Sequence, residues 1–138
     1  MIGYVTVGAD DLALAERFYS AFLPGLGYSL EVSHEGLSYS LTGTVDRGYE
    51  PPDFYVKPPF DGQPASAGNG AMVAFEAPTQ AMVRELHAAA LAAGGRDEGA
   101  PGFRAAYSAH FYVGYLRDPQ GNKIALFCDT RNEPGLLR

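Results

Sequence analysis

The chain has no tryptophan, one cysteine, and only ten lysines and arginines against sixteen aspartates and glutamates. Each shortage excludes something. The lone thiol, Cys128, cannot close an internal disulfide, which agrees with a reducing compartment. It stands in an apolar stretch without a basic neighbour to activate it, so an inert, partly buried thiol is expected. A formal net charge of −6 with thinly spread cations offers no footprint for a phosphate backbone, and nucleic acid is not expected as a partner. No apolar run approaches the roughly 20 residues that cross a bilayer, and MIGYVTVGAD carries neither a basic leader nor a cleavage pattern. The expectation is a cytoplasmic protein with no membrane partner.

Glycine (17), proline (10) and tyrosine (9) are plentiful, which suits a loop-rich α+β domain. A chain of 138 residues forms one compact unit by default, since at this length roughly two thirds of the unfolded surface is buried.

Ile2 to Gly8 alternates with the two-residue period of a strand. Asp10 and Asp11 offer an N-cap, and Leu12, Ala15, Phe18, Tyr19, Phe22 and Leu26 recur at helical steps until Pro24, Gly25 and Gly27 stop the pattern. Tyr28 to Ser33, the turn His34-Glu35-Gly36 and Leu37 to Leu41 read as a hairpin, and Asp53 to Lys57 as a fourth strand ended by Pro58-Pro59. The first half is therefore βαβββ. After the unperiodic PPFDGQPASAGNG, a linker or ordered loop, comes a strand at Ala71 to Glu76. A helix follows from Pro78 and Thr79 to Gly94-Gly95. A weakly marked strand near Arg96 precedes a loop holding Gly99, Pro101 and Gly102. Ala109 to Leu116 reads as the next strand, then the Asp118-Pro119-Gln120-Gly121 turn, then Asn122 to Cys128 as the last strand.

The halves repeat. A fixed shift of 68 positions carries Tyr4 onto Met72, Ala15 onto Val83, Phe18 onto Leu86, Leu23 onto Leu91 and Gly27 onto Gly95. The expected architecture is α+β, with two βαβββ modules pairing, in cis or between chains, into a curved mixed sheet with a central cleft. Module one is 1–58, the loop 59–70, module two 71–129 and the tail 130–138.

Paired βαβββ modules, YVTVGADDLALAERFY with its strand, Asp-Leu helix start and Phe-Tyr, and RDPQGNKIAL near the C-terminus together resemble the vicinal oxygen chelate superfamily. That superfamily includes glyoxalase I, extradiol dioxygenases and bleomycin-resistance proteins, and the resemblance runs to about Asp129. It implies a homodimer. In metal-dependent members each module supplies one ligand from its first strand and one from its last, typically His, His or Gln, and Glu. Carried onto this chain, those positions are Tyr4 and Met72 on the first strands and Tyr55 and Ala125 on the last. Two phenols, a thioether and a methyl group make no ligand set for a divalent ion, so neither metal nor other cofactor is expected.

His110, on a strand expected to border the cleft, and Tyr4 are the candidates for acid-base catalysis, each with a bland alternative as a structural or core residue. Ligand contacts are expected from Tyr4, Tyr55, Met72, His110, Tyr112 and Ala125. His34, in a turn, and His87, on a helix, are expected to be solvated, and Arg117 to pair with Asp118. Tyr39, Tyr107, Phe111 and Tyr115 add an aromatic content that suits a flat apolar ligand. The resulting expectation is a metal-free protein that binds a small hydrophobic or aromatic molecule, as the resemblance to bleomycin-resistance proteins implies. Those proteins sequester a cationic drug, and the net acidity here permits such a cargo. The alternative is a glyoxalase-like enzyme of lactoylglutathione-lyase, isomerase or dioxygenase type.

Overall fold

A computed structural model of the protein describes residues 1–41 and 50–135; part of module one (42–49) and the end of the tail (136–138) lie outside the described residues. Module one contains β1 (Tyr4–Gly8), α1 (Leu12–Tyr19), β2 (Tyr28–Ser33), β3 (Gly36–Leu41) and β4 (Asp53–Lys57). Module two contains β5 (Met72–Glu76), α2 (Gln80–Ala92), β6 (Arg96–Phe103), β7 (Phe111–Arg117) and β8 (Lys123–Asp129). The sheets are ordered β1-β4-β3-β2 and β5-β8-β7-β6, and in each the first pair is parallel and the others antiparallel. The architecture is α+β, two equivalent βαβββ modules with mixed sheets.

Local chemistry sets the helix starts. The Asp11 side chain accepts from the Leu14 N–H at 3.0 Å and Thr79 Oγ1 accepts from the Met82 N–H at 3.1 Å, each satisfying an orphan donor of the first turn. Beyond α1 a short 3-10 turn, Pro24–Leu26, ends at Gly27, whose φ of 97° is open to glycine at little cost.

Alternation then sorts the strands. Leu37 and Tyr39 on β3, with Phe54 and Val56 on β4, turn toward Phe18 and Tyr19 of α1 and Phe22 just beyond it, all buried. In module two Leu116, Ile124 and Leu126 do the same beneath Val83 and Ala90 of α2. One buried cluster spans both modules. Phe75 of β5 joins them, its ring 5.2 Å from Phe54, 5.8 Å from Tyr28 and 6.0 Å from Phe22. Each large apolar side chain so buried contributes about 1.5–3 kcal/mol. The contact is close where α1 meets the end of α2: a Cβ at Gly95 would stand 2.7 Å from the Phe18 ring and 2.8 Å from the Ala90 carbonyl.

Several expectations need correction. Gly99, Pro101 and Gly102 lie within β6 rather than in a loop, because β6 is an edge strand where a proline forfeits no inner ladder bond, and shifts of register on either side of Gly99 absorb the irregularity. His110 precedes β7 in a turn, its N–H bonded to Ser108 Oγ at 3.0 Å, instead of standing on a strand. His87 is 4% exposed rather than solvated. Its ring fits over Gly114, where a Cβ would come within 2.8 Å, and its Nε2 is 3.0 Å from the Tyr115 carbonyl and 3.6 Å from Asp97.

The expected Arg117–Asp118 pair is also replaced. Arg117 Nε donates to Glu98 at 2.6 Å and its Nη1 to the Gly121 carbonyl at 2.8 Å. Asp118, 3% exposed, turns inward. Its Oδ1 accepts from the N–H groups of Gln120, Gly121 and Asn122, each at 2.9 Å, and its Oδ2 from the Tyr19 hydroxyl at 2.6 Å and Asn122 Nδ2 at 2.9 Å. The same Asn122 amide reaches the Gly8 carbonyl of β1 at 2.9 Å. Burial, and then the charge of Asp118, raise the Tyr19 pKa well above the usual phenol value, so its hydroxyl remains a donor. Gln120 holds the inter-module segment, accepting from the Asp10 N–H at 2.9 Å and donating to the Ala65 carbonyl at 3.1 Å, while Asp10 accepts from the Ala65 N–H at 2.8 Å. The segment is an ordered loop tied to both modules.

Asp118→Ala removes the acceptor of the Tyr19 hydroxyl and of the Gln120 and Asn122 N–H groups, and one of the two acceptors of Gly121 N–H and the Asn122 amide, and is expected to cost roughly 3–5 kcal/mol by urea denaturation. Asp118→Asn keeps an acceptor oxygen and is expected to cost less. An alanine variant within about 0.5 kcal/mol of the parent, the range of an ordinary surface change, contradicts the brace.

Candidate functional site

Each helix covers one face of its sheet, and the strand period sends the alternate side chains to the other. In module two that open face presents Met72 of β5, Phe111 and Tyr115 of β7, and Phe127 and Asp129 of β8. The turn before β7 adds Tyr107, Ser108 and His110, and the 3-10 turn after β8 adds Arg131. Together they enclose about 530 Å³. Phe111 and Phe127 lie with ring centroids 5.7 Å apart, and Tyr107 meets Phe111 edge-on at 6.0 Å, spacings typical of favourable aromatic pairs.

The rim is polar. Arg131 grips Asp129 with two bonds, Nη2 to Oδ2 at 2.6 Å and Nε to Oδ1 at 3.0 Å, and the Asp129 Oδ1 also accepts from the Arg131 N–H. This guanidinium, chiefly through its side-chain bonds, lowers the Asp129 pKa from 3.8 to about 2. His110 Nδ1 is 3.4 Å from Thr130 Oγ1, and its carbonyl accepts from the Thr130 N–H at 2.9 Å.

Module one has a second, more polar hollow of about 400 Å³, framed by Tyr4, Glu31, Glu35, Ser38, Tyr55 and Lys57 among others. The Tyr4 and Tyr55 rings are 5.4 Å apart, Lys57 Nζ lies 4.9 Å from the Tyr55 centroid, and Glu35 is 3.9 Å from Lys57. Tyr55 donates its hydroxyl to Asp53 at 3.1 Å, and this bond to a carboxylate is the main reason its pKa is raised. At neutral pH it is a donor.

The registers place Tyr55 beside Thr6 and Ala125 beside Ala74, so the two residues occupy matching positions in the two sheets. The expected site residues divide. Met72 and His110 share the module-two pocket, and Tyr4 and Tyr55 share the module-one hollow. Tyr4 is 66% exposed, so its alternative as a core residue falls, and Ala125 is buried at 1%. Tyr112 requires correction: one step along β7 from Phe111, it faces α2, where its hydroxyl accepts from Arg84 Nη1 at 3.3 Å and its ring meets Phe103 at 5.2 Å. Tyr39 is wholly buried in the core. Phe127, Asp129 and Arg131 were not singled out in the sequence. The first two were within reach, since they follow Ala125 on the same face at steps of two, but nothing marks Arg131.

Comparison with solved structures finds a glyoxalase/bleomycin resistance protein from Albidiferax ferrireducens T118 that is 35% identical, covers 93% of this chain and 98% of its own, and superposes with a TM-score of 0.79. Two more distant proteins share the fold. A glyoxalase-related enzyme from Fulvimarina pelagi is 20% identical (TM-score 0.67; 93% of this chain, 87% of that one), and a lactoylglutathione lyase from Agrobacterium tumefaciens is 21% identical (TM-score 0.63; 95% of each). No family model and no curated protein matches the sequence. The fold and its two open sheet faces are those of the vicinal oxygen chelate class. The chain belongs to the glyoxalase/bleomycin resistance protein family.

The metal of that class does not suit these residues. Among the described residues no three His, Cys, Asp or Glu side chains gather as a ligand cluster. At the positions that the resemblance assigns to coordination stand a methyl group, a thioether and two phenols, one of them already committed to Asp53. Hard and borderline divalent ions favour carboxylate and imidazole donors.

Two titrations probe this region. The Asp129–Arg131 pair lowers a folded-state pKa, so its stabilisation is present above the ordinary value of 3.8 and is lost as pH falls through about 2. Carboxyl NMR is expected to find the Asp129 midpoint near 2, and Arg131→Gln to return it toward 3.8. Burial raises the Cys128 pKa, and its Sγ lies 3.8 Å from the Pro78 carbonyl. A disulfide reagent is expected to label the native thiol roughly a hundredfold or more slowly than the urea-unfolded one; equal rates contradict its burial.

Proposed function

We propose that the protein binds a small hydrophobic or aromatic molecule without a metal ion, in a cleft completed when two copies pair. The observation that carries this reading is the aromatic floor of the module-two pocket, Phe111, Tyr115 and Phe127 with Tyr107 at its edge. Its volume, about 530 Å³, falls within the ~300–1,000 Å³ of small-molecule sites, which are characteristically apolar with a few polar groups for orientation. His110, Ser108 and the Asp129–Arg131 pair supply those groups.

The pairing of copies is supported by how the lining is divided. Among the described residues the aromatic pocket is lined from module two and the tail, and the tyrosine hollow from module one, and both are open. Docking the module-one face of one copy over the module-two face of another by a two-fold axis encloses a ligand twice, which no single copy accomplishes. In the pair, Tyr4 and Tyr55 stand opposite Met72 and the aromatic floor, and these groups take the ligand's flanks in place of an ion. Binding then rests on apolar burial and ring stacking, with Tyr55 as a neutral donor. No helix among the described residues is long and apolar enough to cross a membrane. A reducing, cytoplasmic setting for the free Cys128 is part of the proposal.

Sedimentation equilibrium is expected to give a dimer, and a thermal-shift screen to find aromatic compounds that raise the melting temperature. Phe127→Ala is expected to weaken such a compound roughly tenfold, while Tyr112→Phe, on the opposite face, leaves it unchanged. Elemental analysis is expected to find only trace metal in protein purified without chelators. A stoichiometric divalent ion overturns the metal-free reading.

A further inference from the structure

The floor of the module-two pocket is electrically uneven. Just outside the lining, at the Tyr115 end, Lys123 Nζ lies 5.1 Å and the Arg104 guanidinium carbon 5.6 Å from the centroid of the Tyr115 ring. Both cations are only partly exposed. Arg104 donates to the carbonyls of Ala100 and Phe103, and Lys123 has no hydrogen-bond partner among the described residues. No carboxylate among those residues forms an ion pair with either.

Asp129 is matched with Arg131 and Glu98 with Arg117; Glu98 also lies within the field of Lys123, so at the Tyr115 end three cations, Lys123, Arg104 and Arg117, stand against Glu98. The exposed carboxylate on this face, Glu76, stands opposite Phe127 in the parallel ladder, at the far end of β5 from Met72, which stands opposite Lys123. The pocket is therefore positive at Tyr115 and negative beyond Phe127. A chain of net charge −6 holds two cations against one ring here. Their mutual repulsion is relieved by an anion placed beside that ring.

We infer that the pocket selects aryl carboxylates, with the aromatic ring on Phe111 and Phe127 and the carboxylate at Tyr115, held by Lys123 and Arg104. This rests on the ligand-binding reading above. It opposes what the overall acidity suggests, because a ligand answers to the charges within a few ångströms while distant surface charges are screened by salt.

The test is calorimetric titration, at low and at moderate salt, with three probes of one shape: 2-naphthoate, 2-naphthylmethanol and 2-naphthylmethylammonium. Naphthoate is expected to bind about tenfold more tightly than the alcohol and the ammonium most weakly, with the gap narrowing as salt rises. Lys123→Met keeps the length and apolar stem of the side chain, and is expected to remove most of the preference for naphthoate while leaving alcohol affinity and melting temperature unchanged. Lys123→Arg is expected to retain the preference. Binding of the alcohol as tightly as the acid, tightest binding of the ammonium, or an equal loss of acid and alcohol in Lys123→Met overturns the inference and leaves the aromatic pocket standing. If none of the three binds, the ligand-binding reading falls with it.

Discussion

Five hydrogen bonds converge on the Asp118 carboxylate, and four of them come from its own turn. The fifth, from Tyr19, crosses to the helix of the other module, and Asn122 extends the link to β1. A carboxylate this deep is tolerated only when its lone pairs are filled, which turns a surface-type turn sequence into a brace between modules. The brace also fixes which faces meet: Tyr19 lies on the buried side of α1, so satisfying Asp118 brings the helix side of module one against module two. Phe75 among Phe22, Tyr28 and Phe54, and Gly95 beneath Phe18, fill the space so created.

The position of the binding surfaces is a consequence. With both sheets turning their apolar sides to one shared core, their remaining faces point outward and are free to carry other chemistry. The two have diverged. Module one presents serines, glutamates, a lysine and two stacked tyrosines, while module two presents a floor of aromatic rings with charged ends. Equal backbones thus offer unequal surfaces, the arrangement expected where two faces meet one ligand from opposite sides.

Much of the fold was legible because its signals are local. Both helices, the first hairpin, β4 and the repeat register follow from period, caps and turn residues, while the match of Tyr55 with Ala125 came from the family resemblance, since the shift of 68 itself carries Tyr55 onto Lys123. What was not legible depends on tertiary context. The strand character of Gly99, Pro101 and Gly102 comes from lying on an edge beside β7. The burial of His87 comes from a missing Cβ at Gly114, two elements away. The inward turn of Asp118 depends on a hydroxyl 99 residues distant. For the site, alternation reaches Phe127 and Asp129 once β8 is in register, but the period alone does not say which face of β7 a helix covers. It pairs Phe111 with Tyr115 and sets Tyr112 on the other face, and only the packing of α2 decides which face is open, while Arg131 is recruited by a turn that has no periodicity to read.

That phase is also where the chemistry is decided. Because β7 presents Phe111 and Tyr115 outward and keeps Tyr112 under α2, three rings align across β7 and β8 where metal-dependent relatives place a ligand-bearing strand. Ala125, small and buried, brings Phe127 and Tyr115 close to the sheet without a polar group between them. A carboxylate at Ala125 would lie among these rings and oppose Lys123's unpaired charge only two residues away. Without it, that charge and the one on Arg104 face only Glu98, which Arg117 already holds. On the proposed reading the missing metal ligand and the two flanking cations belong together: the lining carboxylate, Asp129, is held by Arg131 at the other end, and the geometry at Tyr115 favours a ligand that brings negative charge there.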